Sequence, residues 1–329
     1  LSIRRQRQMC IRDRQNPWED IEEDKEVRTN ADGREEFVAQ VDQEVIDDYR
    51  KKITDPKRQL RLDVLPEPVI GDPTTAALVA LQLNPGASPK DRPDKKRSSD
   101  YRAFEPMHER ILGNLHGHNR EMYWAEPTPN FGDDGEELYS SPHTWYFGAE
   151  DSEGKLECIG ENRAKYKLLH LVLSSRKARE EVRELKDFGL RKVKKVVEQY
   201  DDYSPERAYR LLRKKFAVIE YFPYHSESKP NGLVSAANRL PSTAYSRELL
   251  DSALHNGAFI FLTRSVKDWD LRLDRPEFKK DRIIVSSSAQ SAKFSPGNLR
   301  RFDGSKAGYK GIKDPELFWK AVDRIDPIG

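Results

Sequence analysis

Asn84 lies at the most informative point of the sequence, on a sharp turn directly after an apolar run. Residues 76–83 are typical of a buried parallel strand, and Pro85 and Gly86 then interrupt the apolar pattern. A polar side chain at the carboxyl end of such a strand lies where open α/β sheets bind ligands. An Asn amide cannot take a proton from water, but its oxygen can accept a hydrogen bond from a water molecule and so orient it. The position therefore suits a reaction that needs a positioned water.

A second group of chemically useful residues follows the apolar run 216–221. Aromatic side chains at a strand end can stack on a base that has left a duplex, and Phe222 is our first choice for this role, with Tyr224 as its substitute. His225 and Ser226 could bind a phosphate or the edge of a base. The alternative is that Phe222 belongs to the core and His225 is a structural histidine.

Two further apolar runs, 258–262 and 282–285, also end in polar residues. Arg264 follows the first run, and its fork of donors suits phosphate recognition. The second run leads into a Ser-rich loop, whose small hydroxyl residues can approach phosphates closely; an ordinary surface loop is the alternative. The candidate residues of this loop are Ser287, Ser288, Gln290 and Ser291.

Helix signals separate these four predicted strands. Ser204 followed by Pro205 is typical of a capped helix start, and a helix from Ser242 to His255 should end at Asn256-Gly257. Strands that alternate with helices predict a parallel sheet with right-handed crossovers. All four polar loops should then meet at one edge of that sheet.

The motif formed by Pro68–Pro73, the first strand and Leu83-Asn84-Pro85-Gly86 resembles the first motif of the uracil-DNA glycosylase superfamily. It is most similar to the mismatch-specific thymine/uracil branch, although Gln82 stands where that motif has Gly. The resemblance covers residues 62–325.

This resemblance implies an α/β fold, a three-layer α/β/α sandwich around a central four-stranded parallel sheet. It implies a DNA glycosylase that hydrolyses the N-glycosidic bond of a flipped uracil, mismatched or modified base, in repair or in defence against modified phage DNA. DNA is the expected partner, and the alternative is a non-catalytic nucleic-acid-binding protein that retains the fold. The expected residues are Asn84 and His225 for catalysis, Leu83, Phe222 and Tyr224 for the base, and Ser226, Arg264, Ser287, Ser288, Gln290 and Ser291 for DNA.

Composition limits the remaining function classes. Hydrophobic residues make up 36% and charged residues 35% of the 329 residues, and no apolar run reaches the roughly 18–20 residues of a membrane span. We expect a monomer located in the cytoplasm. Cys10 and Cys158 are too few for a disulfide framework or a four-cysteine zinc site. No phosphate-binding glycine motif is present, so we expect no cofactor. His116 and His118 have no Cys or carboxylate at useful spacing, so we expect no metal site.

Charge is unevenly distributed along the chain. Residues 1–14 carry +4 and resemble a translated sequencing adaptor, with a basic nucleic-acid-binding arm as the alternative. Residues 15–60 are predicted to be an acidic stretch with one helix, of which 15–34 are expected to be polar and frayed or disordered, and 15–50 carry −9. Since the total is +2, residues 51–329 carry about +7, which permits DNA binding. We expect residues 61–329 to form the glycosylase-like domain, with an insertion at 87–203.

Overall fold

A computed structural model describes residues 16–19, 21, 28–29, 35–55, 58–86, 105–118, 120–125, 165–226, 228–229, 231–263, 268–269, 271, 280–287, 292–303 and 311–327. The chain divides into two compact units that each combine distant segments. The first unit contains Leu1–Val69, Leu83–Arg120 and Ile219–Ser252, and the second contains Ile70–Gln82, Glu121–Val218 and Ala253–Gly329. The predicted insertion at 87–203 therefore contributes to both units.

The strands and helices of the described part follow one another along the chain in a mixed order. The strands are β1 (Arg28–Thr29), β2 (Glu35–Glu36), β3 (Leu60–Arg61), β4 (Val69–Ile70), β5 (Leu78–Gln82), β6 (Phe216–Glu220), β7 (His225–Ser226), β8 (Phe259–Leu262), β9 (Ile283–Ser286), β10 (Leu299–Phe302) and β11 (Gly311–Lys313). The α-helices are α1 (Gln43–Arg50), α2 (Glu105–His116), α3 (Lys167–Ser174), α4 (Arg179–Arg183), α5 (Leu190–Val197), α6 (Pro205–Lys215), α7 (Leu233–Ala237), α8 (Pro241–His255) and α9 (Glu316–Ile325).

The main sheet has seven strands in the order β11-β10-β9-β8-β5-β6-β4. Four adjacent strands, β9, β8, β5 and β6, run parallel and form the inner parallel group. Leu78 lies opposite Phe259 in the β5–β8 pair, and Ile260 lies opposite Ile283 in the β8–β9 pair. The β5–β6 pair is parallel because hydrogen bonds join its two strands in the same order at both ends, from Ala77 N to Lys215 O and from Phe222 N to Leu83 O, at 2.8 Å each.

The two strands that flank this parallel group, β10 and β4, run the other way, and the edge strand β11 again runs in the direction of the group. β10 is antiparallel to both β9 and β11, and β4 is antiparallel to β6, as the bond from Glu220 N to Pro68 O (2.9 Å) and the bond from Glu67 N to Pro223 O (3.0 Å) indicate. The chain thus belongs to the mixed α/β class, as predicted. The sheet is larger than the four-stranded one that we expected, because β4, β10 and β11 extend it.

The inner strands form because their sequences have no polar face. Every residue of β5, β6, β8 and β9 is buried, which is the pattern of strands covered on both faces. The predicted runs 76–83, 216–221, 258–263 and 282–286 contain these four strands within one or two residues, so their positions are confirmed.

Helices α3, α4, α5, α6 and α9 lie in the second unit. α3 is buried along its whole length and packs against α5 and α6, while α9 packs against α3, α6 and β10. The predicted start of α6 is confirmed, because the hydroxyl of Ser204 accepts a hydrogen bond from Arg207 N at 3.2 Å.

The N-terminal segment of the first unit corrects one expectation, namely that residues 15–34 are polar and frayed. Trp18 is fully buried and Ile21 is 6% exposed. The Asn16 amide donates to Leu115 O at 2.6 Å, and a ring nitrogen of His116 lies 2.8 Å from Ile21 O. Single apolar residues in a charged sequence carry no periodic signal, and so sequence patterns missed this contact with α2.

Gly71, directly after β4, gives a prediction about stability. Its φ is +83°, and a Cβ placed there would lie 2.6 Å from Phe216 O and 3.0 Å from Ala217 Cα. We expect Gly71→Ala to lower the free energy of unfolding by about 1–3 kcal/mol from the backbone conformation alone, with a further loss from the contact. Urea denaturation measures this loss. Gly297→Ala is the control, since its Cβ would meet nothing within 4 Å, and equal losses in the two variants would contradict the prediction.

Candidate functional site

Asn84 is held by its amide nitrogen two residues after β5. Nδ2 donates to Ser226 Oγ and to Pro85 O, both at 3.0 Å. Because a carbonyl oxygen can only accept, the atom that faces Pro85 O must be the NH₂ group, and this fixes the orientation of the amide. Oδ1 accepts no hydrogen bond from the described residues. The side chain is half-buried, so this oxygen is a fixed acceptor near the surface of the first unit.

Ser226 brings the loop after β6 to the loop after β5. β7, which contains His225 and Ser226, pairs with β3, so that Leu60 lies opposite Ser226 and Arg61 opposite His225. A parallel bridge also joins Gly86 and Ser226. Two of the four polar loops predicted to converge are therefore in direct contact, through backbone as well as side chains.

His225 is fully buried, and acceptors surround its ring. Nδ1 lies 3.3 Å from Gly86 O, and Nε2 lies 3.0 Å from Leu65 O and 3.4 Å from Glu67 Oε2. A neutral imidazole carries one N–H, so only the protonated ring can donate toward acceptors at both nitrogens. With this environment, His225 fixes the Gly86 end of the Asn84 loop. The predicted direct catalytic role is not supported by its placement, since the ring has no surface open to a substrate.

Phe222 and Tyr224 lie in an aromatic cluster of the first unit. Phe222 is 0% and Tyr224 is 1% exposed. Their ring centroids are 5.6 Å apart, while Tyr49 lies 6.0 Å from Phe222 and Trp18 lies 6.1 Å from Tyr224. A base could stack on either ring only if a covering side chain moved. The alternative, that Phe222 belongs to the core, describes its position, and Tyr224 is covered in the same way.

Leu83, the third residue predicted to contact a base, is also largely covered. It is 7% exposed, and its backbone oxygen accepts the hydrogen bond from Phe222 N. Through this hydrogen bond, Leu83 joins the end of β5 to the end of β6 next to Asn84.

The hydroxyl of Tyr224 is part of a buried polar group that includes Asp42. It donates to Asp42 Oδ2 at 2.8 Å, and the Ser242 backbone N–H donates to Asp42 Oδ1 at 3.1 Å, at the start of α8. Burial raises the pKa of Asp42, although the hydrogen bonds from Ser242 and Tyr224 partly oppose this. Burial and the Asp42 carboxylate also hold the pKa of Tyr224 well above its ordinary range.

This raised pKa of Asp42 predicts how stability changes with pH. The folded state holds the proton more tightly than the unfolded state, whose pKa is about 3.9. The stabilisation is therefore complete below that value and is lost as pH rises through the folded pKa, with a slope of at most about 1.4 kcal/mol per pH unit. Asp42→Asn should remove this part of the pH dependence. Urea denaturation from pH 4 upward measures it, and parallel pH profiles for the two proteins would disprove it.

The remaining predicted residues belong to the loops after β8 and β9. Arg264, Ser288, Gln290 and Ser291 lie outside the described residues. Ser287, in the second unit, is tied to a neighbouring turn, because its N–H donates to Asn298 O at 2.8 Å and its hydroxyl lies 3.3 Å from Asn298 Oδ1. The convergence of these residues with Asn84 stays a prediction.

Glu67 is the residue of this site that sequence reasoning missed. It is 1% exposed and lies beside the His225 ring. The available signal was a single carboxylate between Pro66 and Pro68 within the otherwise apolar stretch 64–70. A charged residue in such a stretch needs a partner, because an unpaired buried charge is costly.

The chain matches no protein-family model, no curated protein and no solved structure. Among the described residues, no helix has the length and apolar character needed to cross a membrane. The same residues contain no cluster of three or more His, Cys, Asp or Glu that could hold a metal ion.

Proposed function

We propose that this protein is a DNA glycosylase that hydrolyses the bond between a flipped uracil, mismatched or modified base and its sugar. The observation that carries the proposal is the anchoring of Asn84. Its NH₂ group is occupied by Ser226 and Pro85, so its oxygen is left as an oriented acceptor at the end of a central parallel strand. An acceptor fixed in this way suits a water that must be positioned before it reacts.

The reaction depends more on the position of the attacking water than on a strong base. The N-glycosidic bond breaks with its electron pair leaving on the base, and a cation-like sugar remains. A water that donates a hydrogen bond to Asn84 Oδ1 then adds to the sugar carbon and releases its proton to solvent. Asn84 orients the water, Ser226 orients Asn84, and His225 with Glu67 holds the Gly86 end of the loop.

The finer fold assignment is also part of this proposal. Four fully buried parallel strands in the order β9-β8-β5-β6 support an α/β/α sandwich of the uracil-DNA-glycosylase type, in which β4, β10 and β11 are additions. Base recognition then falls to residues other than the covered rings of Phe222 and Tyr224. DNA binding through the loops after β8 and β9 completes the proposal, while Ser226, predicted to contact DNA, is 2% exposed and instead holds Asn84.

The second candidate is a non-catalytic nucleic-acid-binding protein with the same fold. The burial of His225 favours it, because this removes one proton-transferring side chain from the surface beside Asn84. The two candidates differ in one measurable property, the release of a base.

The deciding experiment is an excision assay on duplex oligonucleotides that contain uracil, a thymine mismatch or hypermodified cytosine. Alkaline cleavage converts each abasic site into a strand break, and an unmodified duplex of the same sequence is the control. We expect strand breaks with at least one modified duplex and none with the control. Salt-sensitive binding of all duplexes without any break would favour the non-catalytic candidate.

A further inference from the structure

The second unit contains a basic cleft that the proposed function does not use. It has a volume of about 800 Å³ and lies between the start of α3, the start of α5 and the turn at residues 293–298. Five cationic side chains and one carboxylate line it, a formal balance of +4. They are Lys165, Lys186, Arg191, Lys192, Lys293 and Asp187.

Backbone contacts hold the walls of this cleft in place. The N–H of Phe294, which is fully buried, donates to Lys165 O at 2.8 Å, so the segments that carry Lys165 and Lys293 are fixed to each other. In the turn, Asn298 N–H donates to Ser295 O at 2.9 Å, and its side-chain amide donates to Ser295 Oγ at 3.0 Å. The positive charges thus converge on a preformed surface.

Two lysines of the cleft differ from other lysines of the same unit in their lack of an ion-pair partner among the described residues. Lys177 lies 2.7 Å from an oxygen of Asp201, and Lys194 lies 3.6 Å from Glu198. In contrast, the exposed side chains of Lys186 and Lys192 make no hydrogen bond or ion pair with the described residues. Asp187, the carboxylate of the cleft, accepts the backbone N–H of Gly189 at 3.1 Å. Like charges that converge in this way repel one another until an anion binds.

The shape and lining of the cleft indicate what kind of anion it accepts. Its volume lies in the upper part of the usual range for ligand pockets, roughly 300–1,000 Å³, and so exceeds the needs of a single phosphate. The basic face continues along α5 through Lys195, which is exposed. Phe188 adds a half-buried aromatic ring to the lining, and Trp319 supports that ring at a centroid distance of 6.1 Å. A basic groove with an aromatic platform is the usual arrangement for a single-stranded nucleic acid.

We propose that this cleft binds a single-stranded nucleic acid, with its phosphates against the cationic side chains and one base against Phe188. The site lies within the second unit, and the proposal does not depend on the glycosylase activity of Asn84.

The test measures binding of the full chain to a labelled oligothymidylate of about 12 nucleotides by fluorescence anisotropy over a range of salt concentrations. Lys186→Glu/Lys192→Glu should weaken binding at least tenfold. The slope of log K against log salt should also become less steep by about 1.4, the value for two lost contacts with a single strand. The matched control is Lys214→Glu/Lys215→Glu, which makes the same charge change on two exposed lysines at the end of α6. We expect this control to bind nearly as well as the unmodified protein.

Substitutions of Phe188 distinguish the binding of a nucleic acid from the binding of any polyanion. Phe188→Ala should weaken oligothymidylate binding by about tenfold while binding of inorganic polyphosphate stays unchanged, and Phe188→Trp should restore it. Equal losses in the two lysine double variants would overturn the proposal. So would tighter binding of a duplex that shows the same dependence on Lys186 and Lys192, or equal effects of Phe188→Ala on oligothymidylate and polyphosphate. Thermal unfolding of each variant confirms that the fold is intact.

Discussion

Replacement of Asn84 by Ala should lower the rate of base excision by a factor on the order of 10²–10³, the usual cost of one preorganised polar group. The variant lacks the oxygen that would orient the water, yet it keeps the backbone contacts that join Gly86 to Ser226 and Leu83 to Phe222. The loss should therefore appear in the single-turnover rate of excision. Affinity for the modified duplex should change little, because phosphate contacts dominate it.

Two further variants make this prediction specific. Ser226→Ala removes the hydroxyl that holds the Asn84 amide and leaves the contact with Pro85 O, so its loss in rate should be smaller than that of Asn84→Ala. Asn231→Ala is the matched control, since Asn231 is an exposed Asn of the same unit whose side chain pairs with Arg58 at 2.6 Å. Excision that survives Asn84→Ala at the rate of this control would exclude Asn84 from the mechanism.

The sequence was sufficient to locate the four parallel strands and the turn that carries Asn84, because both have local causes. A run of apolar residues that ends in Pro and Gly can be recognised within about ten residues, as β5 and its turn illustrate. β4 and β10 were missed for the opposite reason. β4 has two residues, and in β10 two arginines separate Leu299 from Phe302, so neither strand has a distinct apolar pattern.

The roles of Phe222, Tyr224 and His225 could not be predicted from local pattern, because distant residues determine their exposure. Tyr224 is covered by Trp18 and bonded to Asp42, which is 182 residues earlier in the chain. A polar or aromatic residue after a strand can face the ligand side or the core, and the sequence near it is the same in both cases. Only the three-dimensional contacts distinguish these two orientations.

The largest effect on stability is expected at Asp326, directly after α9. Its carboxylate accepts hydrogen bonds from Arg179 Nη2 and from Arg207 Nη2, the latter at 2.5 Å, and its backbone oxygen accepts from Arg179 Nη1 at 2.7 Å. Burial acts to raise the pKa of Asp326, but the bonds from Arg207 and Arg179 outweigh it and lower the pKa. The side chain of Arg179 is fully buried. Asp326 is therefore the carboxylate that compensates a buried guanidinium.

Asp326→Ala should lower the free energy of unfolding by about 3–5 kcal/mol, the usual cost of leaving one buried charge without its partner. Asp323→Ala, three residues earlier, is the matched control. Its carboxylate is 41% exposed and pairs with Arg183 at 3.0 Å, so its loss should not exceed about 1 kcal/mol. Urea denaturation at pH 7 compares the two, and equal losses would contradict the prediction. Because the folded pKa of Asp326 is lowered, its contribution is complete above about pH 4 and declines as pH falls through the folded value. The difference in the free energy of unfolding between the unmodified protein and Asp326→Ala should therefore become smaller in acid. When Arg179→Met is added to Asp326→Ala, it should recover part of the stability lost at pH 7, because it removes the uncompensated charge.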